Sequence, residues 1–246
     1  MTETGSVKMQ TAQTRQPILN VPFAVLLCIF LIAGIHAMRI WFLGEDGDAD
    51  LLFSFAFIPA RYSIAQVYEY LPAAIYWTPL SYTLLHADWS HVLMNSVWML
   101  VFGTIVAKRV GAIRFFIICI FGSLAGAGLH YTFHSNDFIP MIGASAAVSA
   151  CTGAAVRFAF PQGRRFGLDV SSSKRLGILQ SITNPQVFAF IAIWFGINFL
   201  FGAGIVNIAG EGQSIAWEAH IGGFLAGFLL FSLFDIEPEH QLVQLD

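Results

Sequence analysis

The sequence predicts an all-α membrane protein, and three observations point to that fold class. Of its 246 residues, 57% are hydrophobic and only 11% are charged, whereas a soluble domain has roughly 25% charged residues. The charged residues cluster in short stretches, and the runs between them are long and apolar. A net charge of -3 offers no basic surface for nucleic acid, so we expect no nucleic-acid partner. The expected surrounding is the lipid bilayer.

Six apolar runs predict a bundle of six transmembrane helices, called here the first to sixth helices. An acidic stretch, residues 44–50, is expected to end the first helix. We expect that helix to be retained, because its apolar run is too long for a signal peptide and no cleavage site follows it. The predicted helices are Pro17 to Leu43, His91 to Ala107, Ile113 to Tyr131, Ser145 to Phe160, Val187 to Ile208 and Ala216 to Phe234.

The helices divide the chain into a polar N-terminal segment (1–16), a membrane domain (17–235) and a polar tail (236–246). Lys and Arg are retained on the cytoplasmic side of a membrane. Ten of the 12 Lys and Arg side chains fall on one side of the predicted bundle, and only Arg39 and Arg61 fall on the other. We therefore predict that both termini are cytoplasmic.

The segment from Asp50 to Ser90 is expected to lie in the outer membrane interface. Pro59, Pro72 and Pro79 interrupt it, so it is not predicted to form a further spanning helix. Its many Phe, Tyr and Trp side chains suit the headgroup layer. We predict short interfacial helices in this first loop.

The fourth helix is predicted to be short and central. It has roughly 16 residues and would measure ~24 Å, less than the ~30 Å hydrocarbon core. Its many small residues allow neighbours to pack closely on several sides. If its far end lies at the cytoplasmic edge, its start lies below the outer surface. The loop from His134 to Ile142 must then dip into the protein.

Ser145 begins this helix, where free N–H groups and the helix dipole favour a developing negative charge. A serine that attacks a carbonyl needs that feature, because the tetrahedral intermediate carries an oxyanion. The alternative is that Ser145 only caps the helix.

The sixth helix places His220, Gly223 and Gly227 on one face. The glycines allow another backbone to approach, and the small-residue fourth helix is the expected neighbour, so His220 would point towards Ser145. A histidine in this position suits a general base, and the alternative is a structural histidine bonded to a backbone carbonyl. Glu218 lies ~200° around the helix from His220. The sequence therefore predicts a Ser-His dyad.

His91 and Asn95 begin the second helix, four residues apart on one face, and both carry hydrogen-bond donors. They suit an oxyanion hole. The alternative is that His86 and His91 are interface residues that hold the loop, and for His86 we favour that interpretation.

Three motifs in this order resemble the rhomboid family of intramembrane serine proteases: His86…His91-xxx-Asn95, Gly143-Ala144-Ser145 and Ala219-His220-Ile221-Gly222-Gly223-xxx-Gly227. The resemblance covers Trp77 to about Asp235. It implies that Ser145 is the nucleophile, that His220 is its base, and that His91, Asn95 and the N–H of Ser145 bind the oxyanion. Substrate-binding or structural roles are expected for His86, Gly143, Gly223 and Gly227.

Three positions depart from the family pattern. Ala146 follows the serine where the family usually has glycine, Ser149 stands where a tyrosine often stacks on the histidine, and Thr78 replaces an arginine after Trp77. Alanine is small enough to keep the helices close, so we expect activity to survive that change. Ser149 is a minor rival for the nucleophile.

The resemblance implies transmembrane protein substrates, no metal or organic cofactor, and a bacterial inner membrane. The alternative is a catalytically inactive relative that binds transmembrane helices. A metalloprotease is disfavoured because the His-x-x-x-His from His130 to His134 lacks the glutamate that serves as base. An aspartyl protease would need two carboxylates within spans, whereas Asp88 and Asp137 lie at loops. A channel or transporter would need intramembrane charges or an inverted repeat.

Overall fold

The structure is a computed structural model that describes residues 20–160, 173–202 and 215–235. Within these residues the chain is helical and forms no named strand, which confirms the predicted all-α class. The predicted N-terminal segment and tail, the start of the first helix and the end of the fifth lie outside the described residues.

Five helices of the described residues are long and apolar enough to cross a membrane. They confirm the first, second, third, fifth and sixth predicted helices, with bounds shifted by a few residues. The second contains a π-helical turn, Met99–Gly103. The five helices are Phe23–Phe42, Trp89–Val110, Ala112–His134, Pro185–Gly202 and Trp217–Phe234.

The fourth helix is Ser145–Ala155, five residues shorter than predicted. Tight turns follow it, in which the N–H groups of Phe158 and Ala159 both donate to the carbonyl of Ala155. A proline at position 161 also disfavours helical backbone at Phe160. The helix is central, as predicted, because every residue from 146 to 155 is buried.

The sixth helix lies against the fourth with their backbones in contact. A Cβ added to Gly223 would stand 2.1 Å from the carbonyl oxygen of Ala146, and one added to Gly227 would stand 1.9 Å from that of Ala150. The contacts advance together along both helices, so the two helices run parallel. Their first residues therefore lie at the same end of the bundle.

The first loop contains short helices, as predicted, but the acidic stretch does more than end the first helix. It also forms the start of a further helix, Glu45–Phe55, and its acidic residues stabilise that helix because they lie at the positive end of the helix dipole. The remaining short helices are Pro59–Tyr62, Ala65–Tyr70, Pro72–Tyr76, Thr78–Ser81 and Tyr82–Leu84.

The loop before Ser145 enters the protein later than predicted. The third helix continues to His134, and Phe138 and Ile139 are 62% and 71% exposed. The chain turns inward at Met141, which is buried and pairs with Phe57 through two backbone hydrogen bonds of 2.9 and 3.1 Å. The inward part of the loop is therefore limited to the residues just before the fourth helix.

Candidate active site

Gly143 lets a histidine approach the start of the fourth helix. Its backbone φ is +121°, a value that residues other than glycine rarely adopt. A Cβ at this position would lie 2.7 Å from Cε1 and Nε2 of the His91 ring and 3.8 Å from the Ser145 hydroxyl. The structure therefore brings His91, Gly143 and Ser145 together.

His86 holds the loop before Ser145 in place through a hydrogen bond to its backbone. Its side chain is fully buried, and its Nε2 accepts a hydrogen bond of 3.3 Å from the N–H of Ala144. The N–H of Gly143 donates to the carbonyl of Tyr82 at 3.0 Å. Burial, and then the neighbouring His91, lower the pKa of His86 to about 3. A neutral His86 thus holds the backbone that precedes Ser145.

The start of the second helix fixes the ring of His91. Asp88 caps this helix by accepting from the N–H of His91 at 2.8 Å and from the hydroxyl of Ser90 at 2.5 Å. The Ser90 bond, followed by the His91 N–H, lowers the pKa of Asp88. The N–H of Ala87 approaches Nδ1 of His91 at 3.5 Å. That contact assigns the ring proton to Nε2, the nitrogen beside Gly143.

Asn95 lies one turn further along the same helix and is buried. Its side-chain amide donates to the carbonyl of His91 at 3.0 Å. Among the described residues, no hydrogen bond links Asn95 to Ser145. An amide nitrogen has two N–H groups, so one remains for a ligand.

Ser145 is the first residue of its helix and not its cap, because Ala144 occupies the cap position and no side chain bonds there. Ser145 is half-buried. Its hydroxyl has no hydrogen-bond partner among the residues that the structure describes, so the expected bond to His220 is not formed. Catalytic hydrogen bonds are often long before substrate binds. Ser149, one turn deeper, is 5% exposed and less accessible than Ser145.

His220 has a partner that the sequence analysis missed. Its Nδ1 lies 2.6 Å from the Oδ1 of Asn198, a buried residue of the fifth helix. The Nδ2 of Asn198 donates to the carbonyl of Trp194 at 2.7 Å, which fixes the amide orientation. Because the amide oxygen can only accept, Nδ1 of His220 carries the proton and Nε2 is left unprotonated. A polar residue alone in an apolar span was the available signal.

Glu218 turns away from His220, as its position on the helix predicts. One carboxylate oxygen lies 3.0 Å from Nε2 of His134, and the other lies 3.5 Å from Nδ1 of His130. Both histidines belong to the third helix. No carboxylate therefore completes the pair of Ser145 and His220 within the described part of the chain.

Two comparisons with known proteins bear on this site. The family model of the Rhomboid domain matches residues 73–234, about two thirds of the chain. The chain is 28% identical over 153 residues to the Rhomboid protease GluP of Bacillus subtilis (strain 168). That match covers 62% of this chain and 25% of the relative's length. With its spanning helices, the chain is a multi-pass membrane protein, and it belongs to the rhomboid family.

Proposed function

We propose that this protein is an intramembrane serine endopeptidase. It hydrolyses peptide bonds within or next to transmembrane segments of membrane proteins, with Ser145 as nucleophile and His220 as base. The observation that carries the proposal is the hydrogen bond from His220 Nδ1 to Asn198 Oδ1. It leaves Nε2 as the nitrogen that can take a proton from a serine. Membership of the rhomboid family supports the same reaction.

In the proposed reaction, the Ser145 hydroxyl attacks the carbonyl carbon while its proton passes to Nε2 of His220. The oxyanion is bound by the backbone N–H of Ser145 and by the Nε2–H of His91, with Asn95 as a further donor. The leaving amine takes the proton from His220 as the acyl-enzyme forms. Water then hydrolyses the ester, and His220 again acts as base.

Asn198 is proposed as a positioning residue that acts through His220. Replacing it by alanine removes the acceptor for Nδ1–H, so the ring can adopt the wrong tautomer, and we expect kcat to fall by about 10²-fold or more. Asn198→Asp should restore much of the rate, because a carboxylate also accepts from Nδ1. It should also move the acidic limb of the pH–rate profile to higher pH, since a nearby negative charge favours the imidazolium. An unchanged limb would contradict the proposal that residue 198 acts through His220.

The reaction is tested in proteoliposomes with a single-span reporter whose helix carries alanine followed by glycine near its outer end. We expect the wild type to cut the reporter and Ser145→Ala to be slower by at least about 10³-fold. Ser149→Ala, a matched removal of a hydroxyl one turn away, should keep the wild-type rate. Equal cleavage by the wild type and Ser145→Ala would overturn the proposal. Retention of an uncut reporter by the wild type would support the inactive, helix-binding alternative.

We further propose that both termini are cytoplasmic, in a bacterial inner membrane, and that Ser145 opens towards the opposite side. Three arginines lie at the other end of the bundle from Ser145, which agrees with retention of positive charge on the cytoplasmic side. A membrane-impermeant maleimide should label Glu69→Cys but not Lys174→Cys in intact cells. The reverse pattern would contradict this orientation.

A further inference from the structure

A second cluster of chemically reactive side chains lies where the end of the third helix meets the start of the sixth. His130 and His134 stand one turn apart on the third helix, with ring centroids 4.5 Å apart. Glu218 of the sixth helix faces both rings. We propose that His130, His134 and Glu218 bind a divalent metal ion of the Zn²⁺ class.

The donor atoms already have nearly the spacing of a metal site. Each residue offers one ligand atom, and these atoms all lie within 4.8 Å of one another. The distance from Nε2 of His134 to Glu218 is 3.0 Å, and that from Nδ1 of His130 is 3.5 Å. Ligands about 2.0–2.1 Å from a tetrahedral Zn²⁺ are separated from each other by about 3.3 Å. The two histidine–carboxylate distances match this separation, and side-chain rotation would have to bring together donor atoms that are up to 4.8 Å apart.

His130 is buried beside Glu218 and is poorly paired. The residue is only 9% exposed, and among the described residues the partner of its Nδ1 is the Glu218 carboxylate at 3.5 Å, longer than an ordinary hydrogen bond. A buried polar atom is rarely left unpaired, because removing it from water costs free energy. This atom points into the space between the two helices, beside a buried carboxylate. A cation bound there would satisfy both groups.

Asp137 gives the cluster the outer shell that metal-binding histidines usually have. Its carboxylate lies 2.7 Å from Nδ1 of His134. That contact fixes the ring and directs Nε2 towards Glu218, as in carboxylate–histidine–zinc arrangements. The side chain of His134 is 33% exposed, so an ion can enter from outside. Three protein ligands would leave the fourth position for water.

From the sequence alone no metal is expected here, because the His-x-x-x-His carries no glutamate beside its first histidine. The carboxylate comes instead from a residue 84 positions later in the chain. Since Glu218 turns away from His220, the ion would not take part in peptide hydrolysis. It would tie the third helix to the helix that carries His220.

The test is a calorimetric titration of Zn²⁺ into the chelator-treated full chain in detergent micelles. We expect one ion per chain in the wild type. His134→Ala should weaken binding at least about 100-fold. Because the side chain of His134 is partly exposed, we expect this variant to fold. Asp137→Asn should weaken binding about 10–100-fold. Thr132→Ala, an exposed change in the same turn, should leave binding unchanged.

Two further readouts separate metal binding from a proton-bridged cluster. Both ring nitrogens of His134 now face carboxylates, so Zn²⁺ binding should release a proton, which is detected when the binding heat varies with the buffer. Zn²⁺ should also raise the Tm of the wild type but not that of His134→Ala. Equal affinities for the wild type and His134→Ala would overturn the site. Ser145→Ala should titrate like the wild type, so failure of the protease proposal is distinguishable.

Discussion

The side chains around Ser145 make single hydrogen bonds, whereas at the opposite end of the bundle arginines bridge the helices. At the serine end, defined by His86, His91, Ser145, Asn198 and His220, the contacts are single hydrogen bonds such as the one from His220 to Asn198. At the arginine end, defined by Arg109, Arg157, Arg175 and Asp235, guanidinium groups bridge helices. Arg109 makes two bonds to Asp235, of 2.7 and 2.9 Å, and Arg157 donates to the carbonyl of Phe228 at 2.6 Å.

This difference indicates that the arginine end contributes mainly to the stability of the bundle and that the serine end keeps groups for the proposed reaction. The ion pair of Arg109 and Asp235 holds the end of the second helix against that of the sixth, and Arg157, just after the fourth helix, donates to the Phe228 carbonyl of the sixth. At the serine end, the Ser145 hydroxyl and one amide hydrogen of Asn95 have no hydrogen-bond partner among the described residues, so both remain for the proposed substrate. A serine end tied as fully as the arginine end would have nothing left to bind an oxyanion.

The largest effect is expected at the arginine end. Asp235 has a side chain only 3% exposed, and Asp235→Asn removes the carboxylate that faces Arg109 and Arg175. We expect the free energy of unfolding to fall by about 3–5 kcal/mol, because a buried charge loses its counter-charge. Unfolding in denaturing detergent measures it. Asp50→Asn is the control, since it makes the same change at an exposed carboxylate. A cost at Asp50 as large as that at Asp235 would contradict the comparison.

A change at the serine end should affect rate and not stability. Asn95→Ala is expected to lower kcat by about 10²–10³-fold, the cost of one oxyanion donor in a soluble serine protease. The free energy of unfolding should stay near the wild-type value, because the bond that is lost joins two residues of one helix. Ser96→Ala is the control, since the Ser96 hydroxyl also bonds a carbonyl of its own helix, that of Val92, at 2.7 Å. Equal losses of kcat in the two variants would exclude a specific role for Asn95.

Acid should weaken the serine end through His86. Its folded-state pKa of about 3 lies below the ordinary value of about 6.5, so below that value the unfolded chain binds a proton that the folded chain does not. The free energy of unfolding should therefore fall as the pH drops from about 6.5 towards 3, by about 2 kcal/mol at pH 5. His86→Gln keeps an acceptor for the Ala144 N–H but cannot be protonated. Its stability should vary less with pH, and an unchanged slope would rule out His86 as the cause.

Composition and spacing predicted the parts of the fold that depend on local chemistry. A span must be apolar because lipid cannot satisfy polar groups, so five helices were evident from their sequences. The spacing of Gly223 and Gly227 also indicated the face that meets the fourth helix. The early end of that helix was missed, because the turns after Ala155 depend on contacts such as the bond from Arg157 to Leu176.

The residues that the sequence analysis missed at the site act across helices. Asn198 is separated from His220 by 22 positions, and nothing in the local pattern indicates that their helices bring them together. Glu218 was correctly separated from His220, but its contacts with His130 and His134 were not foreseen. Ser145, His220 and His91 could be proposed from the sequence because each stands in a recognisable local motif.

The activation of Ser145 by His220 is tested by covalent labelling of the protein in detergent with a fluorophosphonate probe, followed by mass spectrometry of the labelled peptide. We expect an adduct on Ser145 in the wild type and in Ser149→Ala, and none in Ser145→Ala or His220→Ala. An adduct on Ser149, or undiminished labelling of His220→Ala, would contradict the claim that His220 activates Ser145. No labelling of the folded wild type would contradict the presence of an activated serine.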